Sequence, residues 1–229
     1  MNTEKIPILY EDKDLLVAIK PVGYLSEASD VAPSLPTALA THAGGRPLSP
    51  VTRLDCGVGG VMVLGKSAKS MSYLSAEFSD HENTVKEYLA VVAGKMEERE
   101  GELTDLLFKD SAKNKSYVVR RMRRGVKEAR LAYRVLGERE AEGKCYSLLH
   151  VRLYTGRTHQ IRVQLSSRRH PLVGDGKYGG ESGYGIALLS YAVTFTLPTG
   201  ARRRFCASLP DVPPFSYFVD FTQEISNFS

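Results

Sequence analysis

The sequence is poor in residues that cross-link or ligate. Its three cysteines, Cys56, Cys145 and Cys206, are odd in number and scattered, which argues against a disulfide framework and suits free thiols in a reducing compartment. Neither a CxxC pair nor an HxxxH spacing occurs, so no structural zinc site is expected. No apolar run approaches the roughly 20 residues that a membrane-spanning helix needs. Residues 1–8 mix Glu4 and Lys5 with Pro7 and lack the apolar stretch of a signal peptide, so a cytoplasmic location is expected. Internal repeats, low-complexity segments and coiled-coil segments are missing too, which makes a monomer the default. What is present is an ordinary globular composition, 42% apolar and 25% charged over 229 residues, enough for one large domain or at most two small ones. The imbalance is one of charge: +5 net, with a pI near 9.0, which favours a polyanionic partner.

Short strands and helices alternate along the chain. Residues 8–10 and 15–19 read as two strands joined by an acidic turn, and Pro21 and Gly23 end that unit. Residues 26–50 contain four prolines and predict a loop around a short helix. Gly57, Gly59 and Gly60 precede the apolar strand 61–64, which puts Asp55 in or beside the turn that enters it. Ser67 is placed to cap a helix running to about Phe78, with Met71, Leu74 and Phe78 as its core-facing stripe. Further strands are predicted at 85–92, 130–136 and 146–153, the last two split by a polar turn over 138–144. Two more, at 188–197 and 204–209, flank a Pro198-Thr199-Gly200 turn. The sum is an α+β fold, a mixed and mainly antiparallel sheet flanked by a few helices.

Three features carry chemistry. Arg53-Leu54-Asp55 offers one carboxylate beside a glycine-rich turn. About a hundred residues later, Thr155-Gly156-Arg157-Thr158-His159-Gln160-Ile161-Arg162 offers cations able to keep a carboxylate ionised. Between them, residues 113–134 hold nine lysines and arginines against the single acid Glu128. A solvated hairpin is the plain alternative for that run. However, Tyr117 and Met122 interleave with Lys115, Arg120, Arg121, Arg123 and Arg124, the clustering that phosphate neutralisation requires, and nucleic-acid contact is expected there. Arg202-Arg203-Arg204 is a weaker patch of the same kind.

Taken together, these motifs resemble the RNA pseudouridine synthases of the RluA and RsuA type, over nearly the whole chain. Lys20-Pro21-Val22-Gly23 is similar to the family's opening motif, Arg53-Leu54-Asp55 to the one that bears its aspartate, and Lys86-Glu87-Tyr88 to its lysine-x-tyrosine element. Residues 155–162, followed by His170-Pro171-Leu172-Val173-Gly174-Asp175 and Lys177-Tyr178-Gly179, look like its third motif. Each is weak alone; the ordered set is specific. The resemblance implies the pseudouridine synthase catalytic fold as a single domain over 1–229, with its core at about 8–210. No S4-type RNA-binding domain is expected before Leu15, so substrate selection would fall to the catalytic domain.

It also implies a reaction: the N1–C1′ bond of a uridine breaks, the base turns, and it rejoins through C5 without net redox change, so no cofactor and no metal are expected. Positive charge builds on the sugar, and a carboxylate can stabilise it, trap it covalently or deprotonate it. Asp55 is the candidate for that role, Arg157 its orienting cation, and Tyr88 a flat ring for an extruded uracil with a hydroxyl near C5. Arg53 would fill the gap left by the flipped base. Lys20, Arg120, Arg121, Arg123, Arg124, His159, Gln160 and Arg162 complete the expected contacts with RNA, either tRNA or ribosomal RNA. His159 and Gln160 otherwise brace the loop.

The sequence departs from the family pattern at Thr52, Val58, Gly59, Gln164 and residues 188–191, which leaves the subgroup and the target uridine open. An RNA-binding or RNA-folding protein on the same scaffold, without catalysis, is the alternative. Thiol chemistry at Cys56 is disfavoured because no histidine in its motif supplies a base. Glycosidic hydrolysis is disfavoured because no second acid stands beside Asp55 to activate water.

Overall fold

The computed structural model describes residues 6–45, 47–181 and 184–221. In chain order the elements are β1 (Ile8–Glu11), β2 (Leu15–Lys20), α1 (Leu35–Ala38), β3 (Ser49–Pro50), β4 (Gly59–Gly65), α2 (Ala68–Ser79), β5 (Val85–Ala93), β6 (Glu100–Asp110), β7 (Lys115–Val119), β8 (Val126–Ala141), β9 (Lys144–Leu153), α3 (Gln160–Ser166), β10 (Leu188–Thr196) and β11 (Arg202–Cys206). They fall into two compact units, one drawn from Met1–Lys86 and Leu189–Ala207, the other from Glu87–Leu188 and Ser208–Ser229. Strands outweigh helices in both, the α+β class that the sequence pattern predicts.

In the first unit the strand order is β1-β2-β4-β10, with β3 also on β4 and β11 also on β10. Pairing is antiparallel except between β4 and β10. Leu15, Leu16, Val17 and Ala18 are all fully buried, because a central strand covered on both faces takes a continuous apolar run rather than an alternation. α2 starts where expected: Ser67 Oγ accepts from Ser70 N–H while Ser70 Oγ accepts from Ser67 N–H, closing a capping box. Its Leu74 and Phe78 are buried, and Phe78, Phe195, Phe205 and Tyr10 form a chain of rings with centroids 5.2–5.7 Å apart. Gly60, at φ +117°, faces the backbone of Ser190. Only a residue without Cβ permits that close parallel pairing.

The second unit has the order β5-β9-β8-β6-β7, antiparallel through β9, β8, β6 and β7. α3 buries Ile161, Val163 and Leu165, and Leu107, Ala129, Val163 and Tyr178 form one apolar cluster. Two departures from the sequence pattern stand out. The polar turn expected over 138–144 is only Glu142 and Gly143, at φ +53° and +73°, a two-residue hairpin turn whose twist suits long strands. The ladder continues through Glu138, Arg139 and Glu140, because its bonds are made by the backbone whatever the side chains. β6 went unforeseen, since its buried positions, Leu103 and Leu107, are four apart and hide the period of two.

Gly60→Ala tests the close approach of β4 to β10. A Cβ there would lie 2.2 Å from Ser190 O, so a loss of roughly 2–4 kcal/mol is expected in urea unfolding, against only about 1 kcal/mol for Gly45→Ala, where φ is also positive but no atom lies within 4 Å.

Candidate active site

The carboxylate motif lies in the first unit, on irregular backbone between β3 and β4 that no ladder satisfies. Side chains do so instead. Ser26 Oγ accepts from Leu54 N–H at 2.9 Å and donates to Leu54 O at 2.7 Å. Asp55 O accepts from Val58 N–H at 2.9 Å, and Cys56 O from Gly23 N–H at 2.8 Å. The residues on either side of Asp55 are thus pinned, and Asp55 itself is half-buried.

Beneath this turn lies Lys20, which is fully buried. Its ammonium donates to Pro21 O, Tyr24 O and Cys56 O at 3.0, 2.7 and 3.4 Å. Burial lowers its pKa from 10.5 to about 8, opposed by electrostatic interaction with the nearby Cys56 and Asp55. Lys20, expected to contact RNA, is thus buried, with its ammonium held by three backbone carbonyls. Arg53, by contrast, is exposed, its Nη1 3.3 Å from Glu27 Oε1.

Tyr88 and the arginine motif lie in the second unit. Tyr88 is half-buried on β5, and its neighbour Glu87 is buried with Oε1 3.0 Å from His150 Nε2. Arg157 donates from Nε to Glu128 O at 2.8 Å, and its N–H reaches Gln160 Oε1 at 3.0 Å. Gln160 also accepts from Thr155 Oγ1 and donates to Arg130 O. His159 takes the left-handed conformation at φ +55°, uncommon outside glycine, with Nδ1 2.9 Å from the Tyr178 hydroxyl. That hydroxyl accepts from Ser116 N–H at 2.8 Å, and Ser116 Oγ donates to Thr158 O at 2.7 Å. Arg162 donates through Nε and Nη2 to both carboxylate oxygens of Asp175, at 2.6 and 2.7 Å, and both residues are buried.

His159, Gln160 and Arg162, expected to meet RNA, are buried, with His159 and Gln160 bonded at the Arg157 loop and Arg162 paired with Asp175. Arg120, Arg121, Arg123 and Arg124 are exposed on the connection between β7 and β8. Ser26 beside the Asp55 turn and Ser116 beside the Arg157 loop are supports that sequence reasoning missed; lone hydroxyls carry no pattern. Among the described residues, no group of three or more His, Cys, Asp or Glu could hold a metal ion.

Residues 14–167, which enclose Asp55, Tyr88 and Arg157, match the family model described as RNA pseudouridylate synthase. The chain belongs to the RNA pseudouridylate synthase family. Among its relatives is the ribosomal large subunit pseudouridine synthase D of Borreliella burgdorferi, 29% identical over 223 residues, an alignment covering 90% of this chain and 65% of that protein. The protein of the same name from Nitrosomonas europaea is 37% identical over 191 residues, covering 78% and 52%. This family member thus spans from about half to two thirds of the length of those curated relatives. The human RNA pseudouridylate synthase domain containing 1 shares its fold, with a TM-score of 0.77 at 22% identity over 94% of this chain and 88% of that one.

Two stability measurements check these supports, one in each unit of this family member. Asp175→Ala leaves the Arg162 guanidinium buried without its partner and is expected to cost about 3–5 kcal/mol in urea unfolding. For Lys20, the folded pKa of about 8 lies below the ordinary 10.5. Between those values the unfolded chain binds more protons than the folded one, so stability rises with pH. From pH 8 to 10.5 the wild type should gain roughly 2–3 kcal/mol relative to Lys20→Met; a flat difference would contradict the depressed value.

Proposed function

We propose that this chain isomerises uridine to pseudouridine in structured RNA, either tRNA or ribosomal RNA, with Asp55 as the group that acts on the ribose. The observation that carries the reading is the family match, which encloses Asp55, Tyr88 and Arg157 in one span. A half-buried carboxylate on a turn pinned at both sides suits a group that must meet a developing cation in a fixed orientation. In this reading Asp55 stabilises or traps the sugar as the N1–C1′ bond breaks, Arg157 orients the carboxylate, and Tyr88 stacks on the detached uracil and serves the proton at C5. Arg53, exposed near the start of the same turn, takes up the space of the flipped nucleotide. The relatives named for the ribosomal large subunit support ribosomal RNA as the substrate class.

Modification mapping tests it. Carbodiimide-dependent reverse-transcription stops are recorded on total RNA from a deletion strain complemented with wild type or with Asp55→Ala. The expected outcome is a small set of stops restored by wild type alone. Equal restoration by both, or no site that depends on the gene, would defeat catalysis through Asp55 and favour the RNA-binding alternative.

A further inference from the structure

The connection between β7 and β8 combines three properties found together nowhere else among the described residues. First, Arg120, Arg121, Arg123 and Arg124 are all exposed and none has an acidic partner, whereas Arg130, Arg134, Arg139, Arg162 and Arg168 are each paired with a carboxylate. Second, Met122 stands between them with 62% of its surface exposed. In sequence it is flanked by two arginines on each side, so an exposed apolar side chain stands among displayed cations. Third, the segment is held in shape. The Arg123 guanidinium lies 5.0 Å from the centre of the Phe108 ring, Val126 N–H donates to Arg123 O at 3.0 Å, and Gly125 turns the chain at φ +83°. At its root, Ser116 is bonded to Tyr178 and to Thr158 of the loop that carries Arg157.

We infer that residues 120–125 form an RNA-contact tip in which Arg120, Arg121 and Arg124 take phosphates and Met122 lies against the face of an unpaired nucleobase. This rests on the synthase reading only for its substrate being RNA. Charge complementarity selects a polyphosphate partner. The apolar side chain selects within that class, because flexible apolar side chains of this size wedge against unstacked bases. A continuous A-form helix hides its base faces in the stack, so the tip fits a loop, bulge or flipped-out neighbour rather than a duplex. With Arg123 stacked on Phe108, the tip is ordered before RNA arrives, which lowers the entropic cost of contact.

The test is binding of full-length protein to two fluorescein-labelled RNAs, a hairpin with a loop of unpaired uridines and a blunt duplex of the same stem, followed by anisotropy across a salt series. Met122→Ala should weaken hairpin binding by about fivefold, the low end for loss of a base-stacking contact, leave duplex binding unchanged, and leave the salt dependence unchanged. Met122→Leu should bind as wild type. Arg121→Ala and Arg124→Ala should weaken both RNAs and each lower the slope of log K against log salt by about 0.7–0.9. Wild-type hairpin affinity in Met122→Ala, equal loss on both RNAs, or unaltered slopes in the arginine variants would each overturn the inference. Pseudouridine formation, measured in parallel, separates the two ideas. Synthase activity with no Met122 effect removes the tip contact alone; a Met122 effect without synthase activity removes the synthase reading alone.

Discussion

Irregular backbone that displays a reactive side chain has to satisfy its own amides and carbonyls without a ladder, and this constraint shapes both the Asp55 turn of the first unit and the Arg157 loop of the second. In the first unit, Ser26, Gly23 and the ammonium of Lys20 occupy the polar groups around Asp55. In the second, Gln160, Ser116 and Tyr178 do so for the loop that holds Arg157. The solutions differ because the loops differ. A turn over a fully buried floor takes a cation that can donate to several carbonyls at once, while a loop leading into a short helix is held by an amide and hydroxyls able both to give and to accept.

The same logic divides the cations. A count of charges makes the chain uniformly basic, yet its lysines and arginines fall into three groups. Lys20 and Arg162 are interior supports whose removal from water is offset by carbonyls or a carboxylate. Arg130, Arg134 and Arg168 make exposed or part-exposed pairs with Glu102, Glu100 and Asp105 across the sheet, the sort worth little energy individually. A third set, among them Arg120, Arg121, Arg123 and Arg124, is displayed without an acidic partner among the described residues. Only that last group contributes an outward potential to match a phosphate chain.

Departures from the family motif have local physical accounts where the structure reaches them. A Cβ at Gly59 would lie 3.2 Å from both Lys20 O and Val22 Cγ2, so a glycine suits the crowding above the buried lysine. Gln164 is fully buried on α3 and donates from Nε2 to Asp105 Oδ2 at 2.8 Å, serving the packing of that helix. Ser190 donates to Val61 O at 3.1 Å, on the strand that Gly60 allows to come close. For Thr52 the structure offers no account.

What the sequence by itself determined was everything that depends on local pattern. That covers the apolar runs of β2 and β4, the Ser67 cap of α2, the presence of Asp55 on a glycine-rich turn, and the ordered motifs that identify the family. These are legible because periodicity, capping and turn chemistry act over a few residues. Tertiary structure alone decided which polar residues face inward. Lys20, His159, Gln160 and Arg162 read as surface groups for RNA because side-chain polarity predicts exposure, yet each partner that claims them is remote in sequence or set by the loop's own fold: Cys56 for Lys20, Tyr178 for His159, Arg130 for Gln160, Asp175 for Arg162. A cation's role is fixed by whether carbonyls and carboxylates converge on it more cheaply than water does, and that convergence exists only once distant segments are packed.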